Sequence, residues 1–433
     1  MANLDIGDYV MNRTTVTIIG SGLGGLTAAE YLKNYADVVI LEQGKEYEER
    51  VAEKSDEVLI GIGGAGTLSG GKLCFPPASN GIWNKTSHLM PDFNAFRDDL
   101  SAGINSLMTV PPAFADLSNE AMPQKLYNTE LVLQDSMRVF LEDRVKCLRD
   151  DGVVIRSRCR VDKVLQCDEN YEITFKNEYG KQETLRSNYV IVATGRTSVP
   201  FLKTLFAIDR HHQPDLGIRV SIDSDQPAFA RVGADIKIKR QIKNYLVRTF
   251  CVCCGGDSIK TSTRGLVHYD GHFTNEITGI TNLGILARSP SCSGIAVTEH
   301  YLRSMQQYVD KEISLRDFMK YHSALAKGSP YEELFEVLTT FVAELYRNGC
   351  ILQNADEIPV MLPAIDNTNP LINTDLYFES NLQNVFVIGD AAGVSRGFIQ
   401  AMWSGYCASE RIIEKIVCER MKNQGIRAFI HHA

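Results

Sequence analysis

The stretch "TTVTIIGSGLGGLTAAEYLKNYADVVILEQG", Thr14–Gly44, decides the fold. Its β-branched start predicts a strand, the apolar spacing of "LTAAEYLKNY" predicts a helix, and "ADVVILEQG" predicts a second strand. The intervening turn has the pattern GxGxxG, in which Gly20 permits the tight turn, Gly22 lets a pyrophosphate approach and Gly25 lets the helix pack closely. The stretch therefore predicts a βαβ unit that binds a dinucleotide.

An acidic residue supports this interpretation at the end of the second strand. Glu42 follows the turn by about 20 residues, where a carboxylate accepts hydrogen bonds from ribose hydroxyls and disfavours a 2′-phosphate. Ser21, Leu23 and Gln43 adjoin these positions in the chain, and we expect them at the nucleotide as well.

Composition limits the class of protein. The chain has 433 residues, 44% of them hydrophobic, which is enough for a large core and two domains. A net charge of −8 without dense charge runs argues against a nucleic-acid partner. The first residues lack the pattern of a signal peptide, no apolar run approaches bilayer length, and eleven scattered cysteines fit a reducing compartment. We expect a cytoplasmic protein without a membrane partner.

A second stretch, "GIGGAGTLSGG" at Gly61–Gly71, matches GxGxxG as well. It continues as "KLCFPPASNGIW", which has adjacent prolines and no amphipathic helix, so we expect a loop and not a second βαβ unit. Its backbone N–H groups could bind phosphate or lie against a flat ring. Lys72 is either a ligand-facing cation or a surface lysine. The residues expected at the ligand are Gly64, Gly66, Thr67 and Leu73.

Two later segments resemble glutathione-reductase-like FAD flavoproteins. In "NVFVIGDAAGVSRGFIQA" a strand ends at Gly389 and Asp390 before a long amphipathic helix, and "SNYVIVATGRTSVP" has an Ala-Thr-Gly turn at Thr194 and Gly195. The resemblance implies that Asp390 binds the ribityl chain. It also implies that the helix start, Phe398 and Ile399, faces the flavin, where the positive helix end stabilises a reduced ring.

The resemblance also organises the rest of the chain. Residues 151–188 alternate apolar and polar residues around turns and predict an antiparallel β-meander, in which Val161 matches the position near the adenine. We expect an α/β fold: a discontinuous FAD-binding Rossmann domain with a β-meander, residues 1–196 and 366–433, and an inserted α+β substrate domain, residues 197–365.

Four segments resemble one family more narrowly, the FAD-dependent dehydrogenases described as NAD(FAD)-utilising dehydrogenases. "GGAGTLSGGKL" is similar to its GGAGTFSDGKL signature, "RTFCVCCGGDSI" to its RSFCMCPGG pattern, and "LGIRVSI" and "NVFVIGDAAGVSRGFIQA" to two further segments. The chain departs from the family at Gly70, where Asp is usual, and at Cys254, where Pro is usual.

The "CVCC" segment contains the candidate catalytic cysteines. Cys251 or Cys253 could face the flavin and tune it, exchange electrons with it or meet substrate, or the segment could be a buried strand edge. Cys251, Cys254, His268 and His272 also match a zinc-finger spacing. Gly265 and Gly271 argue against the helix that such a finger needs, so we expect no metal.

These features predict an FAD-dependent oxidoreductase. We expect noncovalent FAD to exchange hydride with a small organic substrate, and free NAD(P)H or an electron-transfer partner to supply or remove electrons. Cys251, Cys253 and Lys72 are the candidate catalytic residues. Two alternatives stay open: a flavin-dependent monooxygenase, although "VIVATGR" stands where aromatic hydroxylases have an Asp-Gly motif, and a flavoprotein whose FAD is structural and whose middle domain binds a protein.

Overall fold

The computed structural model describes residues 13–51, 54–68, 71–104, 122, 124–126, 129–288, 294–366 and 369–423. Gly70, one of the two departures from the family pattern, lies outside these residues. Within them, no helix combines the length and the apolar character needed to cross a bilayer.

Eighteen strands are present in the described residues: β1 Thr15–Ile19, β2 Asp37–Leu41, β3 Gly71–Cys74, β4 Gln124–Leu126, β5 Thr129–Val132, β6 Val154–Arg156, β7 Arg160–Cys167, β8 Asn170–Lys176, β9 Gln182–Ser187, β10 Tyr189–Val192, β11 Asp215–Asp223, β12 Ile236–Ile242, β13 Tyr245–Cys254, β14 Asp257–Thr263, β15 Leu266–His272, β16 Ile280–Arg288, β17 Val360–Asp366 and β18 Val385–Val387. The α-helices of the same part of the chain are α1 Leu23–Leu32, α2 Asn80–Lys85, α3 Met90–Ile104, α4 Gln134–Asp150, α5 Val199–Leu205, α6 Ile295–Met305, α7 Leu315–Leu325, α8 Glu332–Arg347 and α9 Phe398–Asn423.

The predicted βαβ unit is present at the centre of a parallel sheet. Strands β1 and β2 pair in parallel through α1, and the sheet order is β18-β10-β1-β2-β6. Strand β1 therefore has a parallel strand on each side, and its residues Val16 and Ile18 are fully buried. The strand order brings the Ala-Thr-Gly turn after β10 and the Gly-Asp turn after β18 to the same edge of the sheet as the GxGxxG turn.

The predicted meander is confirmed with one correction. Strands β7, β8 and β9 form a three-stranded antiparallel sheet. Strand β6 lies inside the predicted range, but it pairs in parallel with β2 and forms the edge strand of the first sheet.

The middle of the chain forms an eight-stranded sheet with the order β14-β15-β17-β11-β16-β13-β12-β4. One face packs against α6, α7 and α8 around a second hydrophobic core, in which Phe335, Phe341 and Tyr301 are fully buried. The strands come before the helices, as the sequence predicts. Strand β4 lies in the segment 1–196 expected to belong to the nucleotide domain, yet it is an edge strand of this sheet.

The first and last helices of the described chain cross at glycines. A Cβ at Gly405 of α9 would lie 2.3 Å from the carbonyl oxygen of Gly24 in α1, and a Cβ at Gly24 would lie 2.9 Å from that of Ala401. Helix backbones can approach this closely only where side chains are absent, so these positions set the distance between α1 and α9.

We predict that Gly405→Ala lowers the free energy of unfolding by about 1–3 kcal/mol, because the new methyl group meets backbone that cannot move alone. Urea denaturation of the purified variant measures this change. Gly279→Ala is the matched control, since a Cβ there has no neighbour within 4 Å. Equal stability of the two variants would contradict the close crossing.

Candidate active site

A single cavity of about 1230 Å³ joins the nucleotide-binding turn to the eight-stranded sheet. Its wall includes the turn after β1, the second glycine stretch, the start of β7, the turns after β10 and β18, the start of α9, and one face of β12–β15. Small-molecule sites usually occupy about 300–1,000 Å³. The cavity therefore has room for an extended ligand together with a second, smaller one.

The carboxylate of Glu42 ties the two glycine stretches together. One oxygen accepts hydrogen bonds from the backbone N–H and the hydroxyl of Ser21, at 3.0 and 2.8 Å. The other accepts from the backbone N–H groups of Gly44 and Gly61, at 2.8 and 3.1 Å. Each oxygen already has two protein donors, so ribose binding by Glu42 would require exchange of one of them. The ribose contact stays a prediction.

The second glycine stretch packs on the first turn and forms no βαβ unit. Gly22 and Gly63 form a parallel bridge, in which the N–H of Gly63 donates to the carbonyl of Ser21 at 3.0 Å. The chain then makes a 3₁₀ turn at Gly64–Gly66 and enters β3. Gly63 has φ +84°, in the left-handed region that favours glycine. The sequence prediction of a loop at this place is confirmed.

Arg50 holds this glycine stretch in place. Its guanidinium donates to the carbonyls of Ile62 and Gly64, at 2.6 and 2.8 Å, and to those of Glu57 and Val58. Burial lowers the pKa of Arg50 to about 10, although the carboxylates of Glu42 and Glu57 oppose the shift. No residue pattern predicts this role of Arg50, because its acceptors are backbone carbonyls, which every residue carries.

Most of the predicted ligand residues lie on the cavity wall: Gly20, Gly22, Leu23, Glu42, Gln43, Gly64, Gly66, Lys72, Val161, Thr194, Gly195, Cys251, Cys253, Gly389, Asp390 and Phe398. Five others do not line the cavity, and their contact with a ligand stays a prediction: Ser21, Gly25, Thr67, Leu73 and Ile399. These five support the wall by packing or hydrogen bonding. A Cβ at Gly25 would lie 2.2 Å from the carbonyl oxygen of Gly20, and the hydroxyl of Thr67 donates to Ile62.

Asp390 places an acceptor on the cavity beside the start of α9. None of the described residues donates a hydrogen bond to its side chain. Burial raises the pKa of Asp390, although the nearby guanidinium of Arg196 opposes the shift. A carboxyl group in this situation is stabilised by a ligand that brings hydroxyl donors.

The opposite wall carries the cysteines, and a β-bulge in β13 sets their direction. Phe250 pairs with Gly284 and Cys253 with Asn282, so Cys251 and Val252 together oppose one residue of β16. Cys251 has φ +44°, a left-handed conformation that costs roughly 1–3 kcal/mol for a residue other than glycine. As a result Phe250, Cys251 and Cys253 all line the cavity.

Lys72 reaches these cysteines from β3. Its side chain is only 6% exposed, which excludes the surface lysine that the sequence left open. The ammonium donates to the carbonyl of Val252 at 2.5 Å and pairs with Asp235 at 3.2 Å. Burial opposes its charge, but Asp235 and the thiols of Cys253 and Cys251 outweigh that effect and raise the pKa of Lys72.

A second buried cation contacts the cysteine segment from strand β11. Arg219, 1% exposed, donates to the side-chain oxygen of Asn282 at 2.5 Å and to the carbonyl of Cys251 at 3.0 Å. Asp270 lies 4.0 Å from Arg219 and 3.0 Å from Arg196, which faces Asp390. Charged groups thus connect the cysteines with the Gly-Asp turn. Sequence patterns could not show this, since the partners come from four separate elements.

Two of the four residues with zinc-finger spacing have other hydrogen-bond partners, and the sulfur of Cys251 lies beside that of Cys253. The ring of His268 bonds to the hydroxyl of Thr263 at 3.0 Å, and the thiol of Cys254 points to the carbonyl of Ser224. Both histidines lie in strand β15 and not on a helix. Among the described residues, no group of three or more His, Cys, Asp or Glu side chains could hold a metal ion.

Comparisons with known proteins found distant similarities. No protein-family model and no curated protein matches the chain. Among solved structures, CabE, an aromatic hydroxylase from angucycline biosynthesis, is 12% identical over 94% of this chain and 63% of its own (TM-score 0.46). CmlS, a flavin-dependent halogenase, is 14% identical over 96% and 60% (TM-score 0.43). A flavoprotein/dehydrogenase from Cytophaga hutchinsonii is 12% identical over 96% and 80% (TM-score 0.44).

The chain spans less than two thirds of CabE and of CmlS. Similarities of this size transfer no activity to this chain. The resemblance to the NAD(FAD)-utilising dehydrogenases stays a prediction.

We predict that Arg50→Met destabilises the protein by about 2 kcal/mol or more, because buried carbonyls lose their donor. Chemical denaturation measures the change. Arg149→Met removes an exposed pair with Glu46 and serves as the control, with an expected effect of about 0–1 kcal/mol. A loss no greater than that of the control would show that Arg50 does not organise the glycine stretch.

Proposed function

We propose that this protein is an FAD-dependent oxidoreductase that acts on a small organic anion. The observation that carries the proposal is the single cavity, which connects a GxGxxG turn, an unpartnered carboxyl group at a strand end and a second sheet lined with charged and sulfur-containing side chains. An extended dinucleotide fits the first two features. A substrate would occupy the remaining space against the sheet.

The wall has the openings that a dinucleotide needs. A Cβ added at Gly22 or at Gly195 would have no neighbour within 4 Å, so the backbone at both turns is open to the cavity. The helix α1 begins directly after Gly22, and its N-terminal N–H groups can bind the pyrophosphate. The carboxylate of Asp390 would accept hydrogen bonds from ribityl hydroxyls. The flavin ring, when bound, supplies the two-electron chemistry.

We predict that purified protein is yellow and releases FAD on heating, and that Gly22→Ala weakens FAD binding at least tenfold, about 1.4 kcal/mol. The added methyl group occupies ligand space without touching protein, so the unfolding free energy should stay unchanged. Fluorescence titration of cofactor-depleted protein measures the affinity, with Gly279→Ala as control. Unchanged affinity in Gly22→Ala, or wild-type protein that refuses FAD, would contradict the proposal.

The substrate end of the cavity favours an anion. Three cations surround the ring of Phe250: Lys237 at 4.7 Å, Arg248 at 4.9 Å and Arg396 at 5.3 Å from its centroid. Burial, together with the positive charges of Arg196 and Arg248, lowers the pKa of Arg396 to about 10. Lys237 pairs with Asp235, and Arg248 and Arg396 share Asp366. An anionic group in this position would give the two guanidinium groups a further partner, and an aromatic or apolar body could pack on Phe250.

We predict that benzoate perturbs the flavin spectrum of the loaded protein and that benzamide, its uncharged analogue, binds more weakly. Arg396→Gln should weaken benzoate binding about tenfold, or about 1.4 kcal/mol, since one positive charge at the site is lost. Arg210→Gln, at an exposed position, is the control. Equal affinity for benzoate and benzamide would rule out the anionic substrate class.

Two reaction types are compatible with this activity, and an experiment can distinguish them. In a dehydrogenase or reductase, hydride passes between flavin and the organic substrate, with free NAD(P)H or a partner protein at the other end. In a monooxygenase, bound reduced flavin would supply two electrons to O2, with one oxygen atom entering the substrate and the other leaving as water; the hydroxylase description of CabE corresponds to this alternative. Anaerobic turnover supports the first type, and oxygen incorporation into product supports the second. If no acceptor makes the reduced flavin reoxidise faster than it does in the control without acceptor, the result would favour a structural role for FAD and a protein-binding role for the middle of the chain.

A further inference from the structure

Cys251 and Cys253 form a close pair on the cavity wall. Their sulfur atoms are 3.8 Å apart, and the bulge in β13 directs both toward the cavity. The third cysteine of the segment is separate from them, because the thiol of Cys254 points to the carbonyl of Ser224 and does not line the cavity. The structure thus distinguishes two of the three thiols.

The surroundings of the pair favour one thiolate and one thiol. Donation from the Cys253 thiol, opposed by burial and assisted by the charges of Lys72 and Arg219, lowers the pKa of Cys251 to about 5. The same interaction, with burial, raises the pKa of Cys253. A thiolate beside a thiol and two fixed cations is a typical environment of a reactive dithiol.

The neighbouring strand leaves space for the sulfurs. A Cβ at Gly271 of β15 would lie 2.8 Å from the sulfur of Cys253 and 2.9 Å from that of Cys251. The pair therefore depends on a bare backbone at this position. To reach a disulfide length of about 2.0 Å, the two sulfurs must approach by about 1.8 Å.

We propose that Cys251 and Cys253 are a redox-active dithiol–disulfide pair that exchanges two electrons with the flavin. Oxidation of the Cys251 thiolate and the Cys253 thiol joins the two sulfurs and releases two electrons and one proton, which bound oxidised flavin would take up as its anionic dihydro form; the reverse direction restores the thiolate and the thiol. The flavin as electron partner rests on the function proposed above. Formation of the disulfide is a property of the chain itself and is tested separately.

The disulfide is tested on full-length protein with the thiol oxidant diamide, followed by alkylation under denaturing conditions and peptide mass spectrometry. In both wild type and Cys254→Ser, the mass of the peptide that contains Cys251 and Cys253 should be lower by two hydrogens, as expected for a disulfide between these two residues. The variant removes the competing neighbour and is the matched control. Alkylation of both thiols in Cys254→Ser, or a bond from Cys253 to Cys254 in wild type, would overturn the pairing.

The electron exchange is tested by anaerobic dithionite titration of FAD-loaded, diamide-treated protein. Wild type and Cys254→Ser should each take up four electrons per FAD, and Cys251→Ser and Cys253→Ser two. Uptake of only two electrons by oxidised wild type would overturn the exchange even where the disulfide forms. Protein that binds no FAD would overturn the proposed function and this electron partner, while the disulfide result would still stand.

Discussion

The carboxylate of Glu42 fixes the geometry on which the cavity depends. It collects donors from the first glycine turn, from the end of its own strand and from the second glycine stretch. A buried carboxylate held by four donors resists displacement, because the removal of any one leaves a charge undersolvated. The two glycine stretches therefore lie backbone to backbone, and the cavity opens where neither carries a side chain. Arg50 supports the same arrangement from the opposite side, through carbonyl oxygens.

The second wall has a different origin. An eight-stranded sheet buries one face under helices and turns the other toward the nucleotide turn. The bulge in β13 interrupts the regular alternation, so Phe250, Cys251 and Cys253 all line the cavity. Lys72 joins the two walls, because it lies in β3 after the glycine stretch and its ammonium pairs with Asp235, directly before β12 of the second sheet. This ion pair explains how residues 163 positions apart contribute to one site.

The sequence predicted the features that rest on local patterns. The βαβ unit, the meander, the strands before helices and the turns at Thr194 and Asp390 follow from periodicity and from short motifs. At "GIGGAG" the GxGxxG pattern by itself would predict a second nucleotide-binding unit. Only the residues that follow it, which contain no amphipathic helix, argue against that unit. The role of Arg50 and the charges beside Cys251 could not be predicted, because they depend on contacts between distant segments and on a strand irregularity. For the same reason, the sequence could not predict that strand β4, within residues 1–196, pairs with β12 of the sheet in the middle of the chain.

The glycine crossing of α1 and α9 bears on the order in which the chain can fold. The first helix completes its packing only against a helix nearly 400 residues later, and β10 likewise needs β18 as a sheet neighbour. Contacts this remote in sequence form late and slowly. During synthesis the eight-stranded sheet and its helices can assemble while the first βαβ unit still lacks its partners. The first βαβ unit is therefore translated well before the segments that complete its packing, and we expect it to be among the last parts of this fold to be consolidated.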